Sequence, residues 1–197
     1  MIYVVHPDVK GYFSYVLDSK ETRKKLGRDT MFHFDQSPKR YADNWQAIEI
    51  TFAKLSGGKK GEMPDLMIRN GRLFLNEKAY GVLLEVLEED GEFLPVTFGD
   101  RSGYLFNILS VAEDVDGLDQ KLSTKDEFGD LQSLVFHEDK VEGFKLFRSR
   151  FDDYMGVYCG EAFKSAVEQS GLNGLIFSVD LGSIFPPDPS ASEPHRH

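Results

Sequence analysis

The sequence predicts an α+β protein, mostly antiparallel strands with two or three helices, on three observations. Short runs rich in β-branched and aromatic residues recur along the chain, punctuated by Gly, Pro, Asn and Asp. Two stretches, one within 76–91 and one from about 161, carry apolar residues at helical spacing. Strands and helices follow no regular βαβ alternation, which sets the chain apart from parallel α/β folds.

Bulk properties narrow the functional classes. At 197 residues the chain can bury one sizeable core. Hydrophobic content of 41% and aromatic content of 13% describe a folded protein. No apolar stretch reaches the roughly 18 residues that a membrane helix needs. The start, "MIYVVHPDVKG", lacks the basic region of a secretory signal and its apolar run is too short for one. The single cysteine, Cys159, cannot form an internal disulfide, so a cytoplasmic location is expected. Net charge is -10, unevenly spread: residues 1–60 carry 11 Lys/Arg against 7 Asp/Glu, and residues 61–197 carry 12 against 26. That argues against nucleic acid as a partner, because phosphate binding needs a positive face. It favours a basic protein partner, or simple solubility.

Along the chain, "IYVVH" (2–6) and "YFSYVLD" (12–18) read as strands around the turn "PDVKG". "SKETRKKLGRD" is basic and polar and is expected to be exposed. "MFHF" (31–34) is a short apolar piece that leads into "DQSPKR", where Pro38 breaks regular structure. "WQAIEITFAKL" (45–55) alternates as a strand through Ile48, Ile50 and Phe52. "SGGKKGEMP" is a flexible loop and the best internal boundary. It divides an N-terminal β-rich segment (1–56), packed on the main body, from an α+β domain (64–181) and a flexible Pro- and Ser-rich tail (182–197).

Beyond the boundary, "DLMIRNGRLFLN" (65–76) is a hairpin around Asn70-Gly71. A helix follows, with Asn76 as N-cap, Tyr80, Leu83, Leu84 and Leu87 facing the core, and Gly91 as its stop. "EFLPVTF" and "GYLFNILSV" are strands joined by "GDRSG". "SLVFHEDKVEGFKLFRSR" reads as two strands around the turn "EDKVEG". Near the end, a strand at 157–159 leads into a helix from about 161 with Phe163, Ala166, Val167 and Ser170 inward, then Gly171 and the strand "GLIFSV". The chain therefore holds two strand-helix-strand units of similar layout.

Candidate chemistry is sparse. "SVAEDVDGLDQ" (110–120) crowds Glu113, Asp114, Asp116 and Asp119 into seven positions, where each like-charged pair at about 6 Å in water costs roughly 0.7 kcal/mol. The spacing fails the EF-hand pattern: counting from Asp114, Leu118 sits at the fifth place and Lys125 at the twelfth. Two readings stand: a solvated acidic turn, or a docking surface for a basic partner. Asp119 could also hold Ser123 or a backbone amide. P-loop, HExxH, CxxC and GxSxG patterns are absent, and neither metal nor cofactor is expected. His33 and Asp35, on one face of an alternating strand, would make an acid/base pair for a small hydrolase or transferase, or a structural hydrogen bond. Cys159 precedes a helix, where a thiol can be activated, but no base accompanies it and a packing role is expected. Trp45, the only tryptophan, is a candidate interface anchor or a packing residue.

From residue 64 to about 180 the chain resembles a family of bacterial immunity proteins from polymorphic toxin systems, formerly a domain of unknown function. The likeness is carried by Asn76-Glu77 at the start of a helix, Leu118-Asp119 with Ser123, Phe147-Arg148 at a strand end, and Gly174-Leu175 with Phe177. Where the family often has Ser or Thr as helix cap, this chain has Asn76, and Cys159 or Gly160 before the later helix; Asn caps well. The resemblance implies a non-enzymatic cytoplasmic protein that neutralises a cognate toxin by stoichiometric binding. A generic acidic adaptor is the other non-enzymatic reading. A toxin with a basic cleft would suit the acids of 113–119.

Overall fold

The computed structural model describes residues 1–55, 60–183 and 186. Strands β1 (Ile2–Pro7) and β2 (Ser14–Leu17) flank the expected turn but enter different sheets. Asp8 accepts from the amides of Lys10 and Gly11 (3.2 and 2.9 Å) as the chain changes direction. The basic stretch expected to be merely exposed is helix α1 (Ser19–Leu26). Asp18 caps it through the amides of Lys20 and Glu21 (both 2.8 Å), Thr22 is buried and Leu26 packs on the core. Residues 31–34 form a turn rather than the strand that would align His33 with Asp35: Phe34 and Asp35 both donate their amides to the Met31 carbonyl (2.8 Å). Phe32 alone points fully inward. In β3 (Ile48–Ala53) Ile48 and Ile50 are buried, as the alternation predicts.

Strands β4 (Leu66–Arg69) and β5 (Arg72–Asn76) form the Asn-Gly hairpin, with Asn70 and Gly71 at φ 49° and 66°. Helix α2 (Glu77–Leu87) starts on Asn76, whose side chain accepts from the Ala79 amide (2.9 Å). Its buried stripe is Ala79, Leu83 and Leu87, with Tyr80 and Val86 at the edges. Leu84 is only half-buried. The helix ends at Leu87, and Gly91 is not its stop but the first residue of β6 (Gly91–Phe98). A Cβ there would stand 2.7 Å from the ring of Phe106. Gly99 and Asp100 connect β6 to β7 (Arg101–Ile108).

Two short strands follow, β8 (Thr124–Lys125) and β9 (Leu131–Ser133). The expected turn at 138–143 contains the one-turn helix α3 (Glu138–Val141), so the segments beside it do not pair with each other. Phe136 bridges to Leu118, and β10 (Leu146–Phe147) pairs with β11 (Tyr158–Gly160). Helix α4 (Glu161–Gln169) and β12 (Leu175–Ser178) complete the described chain. The fold is α+β, with four helices among the described residues, one or two more than the two or three expected, since α1 and α3 are too short to show apolar periodicity in sequence.

Among the described residues, one sheet has the order β2-β3-β6-β7-β5-β4, a second β10-β11-β1-β12, and β8 and β9 pair as a small third. All neighbours are antiparallel except β3 and β6. The two strand-helix-strand units have the same internal plan. In the first, β5 and β6 flank β7; in the second, β11 and β12 flank β1. Each is a split β-α-β unit whose middle strand comes from elsewhere in the chain. Their helices share one core, where Leu83 and Leu87 join Phe163, Val167, Val5 and Phe106. A second core gathers Tyr15, Phe32, Ile50, Phe74 and Leu94, and a third gathers Val4, Leu134, Phe136, Phe147 and Tyr158. Pairing of β3 with β6, and of β1 with β11 and β12, joins strands from both sides of the expected boundary. Residues 56–59 of that loop, and the tail beyond 183 apart from 186, lie outside the described residues.

Candidate functional site

The acidic segment folds largely onto itself and one neighbouring loop. Residues Ala112–Val115 make a single 3-10 turn, which ends at Asp116 in the left-handed conformation (φ 55°). The Glu113 carboxylate accepts from the Ser149 hydroxyl (2.6 Å) and the amides of Arg150 and Phe151 (both 3.0 Å). Asp114 pairs with the Arg150 guanidinium on the surface. Asp119 accepts from the amides of Lys121 (2.9 Å) and Leu122 (3.1 Å), and its carbonyl takes the Ser123 amide (3.0 Å). The Leu122 amide, above all, holds the Asp119 carboxyl below its ordinary range. Ser123 continues the chain of bonds: its hydroxyl accepts from Val135 N (3.0 Å) and donates to Val135 O (3.3 Å). Asp116 alone of the four has no side-chain partner among the described residues.

The loop that Glu113 grips, 148–156, has unusual backbone and buried charge. Asp153 and Tyr154 sit at φ 56° and 62°, a region that side chains other than those of Asn and Asp rarely occupy. Arg148 is fully buried and donates from Nη2 to the Tyr154 carbonyl, while its Nε and Nη1 have no partner among the described residues. Burial, and then the nearby Arg72 guanidinium, push Arg148 down to about 10. Arg72 is equally buried; it lies 3.9 Å over the Phe32 ring and donates to the Asp35 carbonyl (2.9 Å). Asp152 accepts at Oδ2 from Gly156 N (2.7 Å) and the Tyr158 hydroxyl (2.6 Å), leaving Oδ1 unpartnered.

Beneath this loop is a cleft of about 430 Å³ between β1, the β8–β9 hairpin and residues 181–183. His6, Asp152 and Tyr158 line it, with Met155 and Asp130 among its more exposed residues. Sequence reasoning gave no site role to His6, Arg72 or Asp152, and took Arg148 only as part of the Phe147-Arg148 motif. The available signal was a single ionisable residue within or beside an apolar run, as in "IYVVH" and "KLFR".

The other candidates lie elsewhere. His33 and Asp35 occupy a turn, so the shared strand face does not exist, and no hydrogen bond joins them. The Asp35 carboxylate is engaged by Ser37, through its amide (2.9 Å) and hydroxyl (2.5 Å). Trp45 is half-buried beside the second core: its ring stands 5.0 Å from that of Phe32 and its indole N–H donates to the Pro95 carbonyl (2.8 Å). Cys159 is buried, and burial pushes its thiol well above the ordinary range, so it is an inert core residue. Among the described residues, no cluster of His, Cys, Asp and Glu could hold a metal ion.

The motif residues of the resemblance are thus joints of the scaffold: Asn76 caps α2, Asp119 and Ser123 tie a turn, and Arg148 fills the space under 148–156. Comparison with protein families bears on the resemblance itself. The sequence matches the Immunity protein family (Imm11) over residues 2–179. The chain belongs to the Imm11 family. The match extends beyond the resemblance, taking in β1, β2 and β3 as well as the body from 64 onward. Membership implies a toxin as partner in general. No curated protein matches the chain. No helix among the described residues of this Imm11 protein is long and apolar enough to cross a membrane.

Proposed function

We propose that this Imm11 protein protects the cell that makes it by binding a cognate toxin stoichiometrically in the cytoplasm, without catalysis. The family match over residues 2–179 carries the reading. Polymorphic toxin systems, in which a producing cell must survive its own toxin, are the setting that such a protein fits. The geometry supports binding over chemistry, because Glu113 and Asp119 accept from backbone and hydroxyl groups and Asp114 pairs with Arg150, rather than being set against a base or nucleophile.

The acidic face supplies the second element of the proposal. Asp114 and Asp116 are exposed, Glu113 and Asp119 fix the turn that presents them, and residues 61–197 carry 26 acids against 12 bases. Such a face attracts a toxin whose own cleft is basic. Trp45 is committed to Phe32 and the Pro95 carbonyl and is not used in this reading. The test is to find a toxin gene beside this one, express its product with and without the chain, and purify the two together. Restored growth and a complex of fixed stoichiometry are expected. Growth arrest unchanged by the chain would refute the reading.

A further inference from the structure

The cleft under loop 148–156 has a lining that the toxin-binding reading does not yet use. Its walls are apolar, with Val5, Ile68 and Leu131 among them, and its polar groups include His6, Asp152 and Asp130. His6 is 4% exposed and Asp152 is 8% exposed. Nevertheless His6 Nε2 and Asp152 Oδ1 are buried without any partner among the described residues. Buried polar atoms are nearly always hydrogen-bonded, so two orphans lining one cleft point to a ligand that completes them.

The chemistry of that ligand follows from the atoms left over. A carboxylate oxygen accepts, and the neutral His6 ring that burial favours offers one accepting and one donating nitrogen; burial raises the Asp152 carboxyl, and a cation beside it would hold it ionised. Charge agrees: Lys125 is spoken for by Asp153 (3.3 Å), which leaves Asp130 and Asp152 against no free cation among the cleft's described side chains. At about 430 Å³ the cleft is within the range of about 300–1,000 Å³ typical of ligand sites. Apolar walls around acceptors suit a cation carried on an apolar stem, as in arginine and lysine.

We infer that this cleft receives an arginine or lysine side chain presented by the toxin. The inference rests on the toxin-binding reading, but its first test does not. Isolated protein is titrated with butylguanidinium, and with butylurea as a neutral counterpart, following heat and the His6 ring resonances. Saturable binding of butylguanidinium alone is expected. It should weaken about tenfold or more in Asp152→Asn, as for loss of a hydrogen bond to a charged group. Met155→Trp, which narrows the mouth without touching a buried polar atom, should also weaken it and guards against misfolding of the first variant. In the second test both variants should weaken capture of the toxin encoded beside the gene. No binding of butylguanidinium, equal binding of butylurea, or equal binding by both variants would overturn the cation site. Full toxin capture by both variants would overturn its assignment to a toxin side chain and leave a free small cation as occupant. Absence of toxin capture by wild type would remove the toxin assignment as well, while the first test would still decide the cation site.

Discussion

Gly71 and Arg148 are in direct steric contact: a Cβ on Gly71 would stand 2.6 Å from Cζ of the buried guanidinium. The hairpin of the first split unit and the strand end that leads to the second are thereby fitted to each other. Gly71→Ala would add a left-handed alanine at φ 66°, costing about 1–2 kcal/mol. It would also overpack a site where Arg148 has nowhere to move, costing about 1–3 kcal/mol more. Urea unfolding should show a loss of about 2–5 kcal/mol. A loss under half a kilocalorie would mean that Arg148 is mobile.

Glu113 and Asp116, three places apart, should behave as opposites. Glu113→Ala strips the acceptor from the Ser149 hydroxyl and two amides and should cost about 1–3 kcal/mol. Asp116→Asn keeps a residue that tolerates the left-handed region and should stay within about 0.5 kcal/mol of wild type. Equal stability of the two variants in thermal melts would contradict the division between clamp and free charge.

How far the sequence reveals this molecule depends on the range of each interaction. The Asn70-Gly71 turn and the Asn76 cap are legible because both are local backbone chemistry, complete within four residues. The alternation of Ile48 and Ile50 is legible because one face of β3 meets a core. Helix α1 is not, since it buries little beyond Thr22 and Leu26 and shows no apolar stripe. The strand that would align His33 with Asp35 fails at 31–34 because Phe32 is the only side chain there that points fully inward. Clustering of Glu113, Asp114, Asp116 and Asp119 is visible in sequence, and the local bonds of Asp119 to Lys121 and Leu122 are near at hand, but the partners of Glu113 and Asp114, Ser149, Arg150 and Phe151, lie about thirty-six residues away. Nothing local announces that distance, nor that His6 and Asp152 share a cleft.

The corrected stripe on α2 separates two neighbours. Leu83 is fully buried and Leu84 only half-buried. Leu83→Ala should therefore cost about 2–5 kcal/mol, and Leu84→Ala clearly less. Equal losses in denaturant melts would place the helix in a different rotation from the one described.

Asp90 gives a pH signature. Its carboxylate accepts from the amides of Lys145 (2.7 Å) and Leu146 (2.9 Å) and from the Ser110 hydroxyl (2.8 Å), pinning β10 beside the start of β6. Burial outweighs these bonds and raises its pKa above the ordinary 3.8. The folded state then holds the Asp90 proton more tightly than the unfolded chain does. Its contribution to stability is present below 3.8 and is lost as pH rises through the higher folded value. Asp90→Asn, which cannot titrate, lacks this term. The stability of wild type relative to Asp90→Asn should therefore fall between acid and neutral pH. Urea midpoints of the two proteins that move in parallel across that range would show that Asp90 titrates normally.

The last prediction concerns the exposed acids and the toxin. Glu113 and Asp119 are left intact, because they hold the turn; Asp114 and Asp116 are the pair to change. If they steer a basic partner, they act before contact, over a distance that salt limits to about 8 Å at physiological ionic strength. Asp114→Asn with Asp116→Asn should slow association with the toxin encoded beside the gene several-fold at low salt. Dissociation should hardly change, because charges outside the packed centre of an interface govern encounter more than residence. The difference should shrink as salt is raised. Arg150, released from Asp114, adds a positive charge to the same face and should deepen the effect at low salt. Association equally fast in both proteins at low salt would leave Asp114 and Asp116 as the outer charges of a solvated turn, and would move the binding surface elsewhere on the protein.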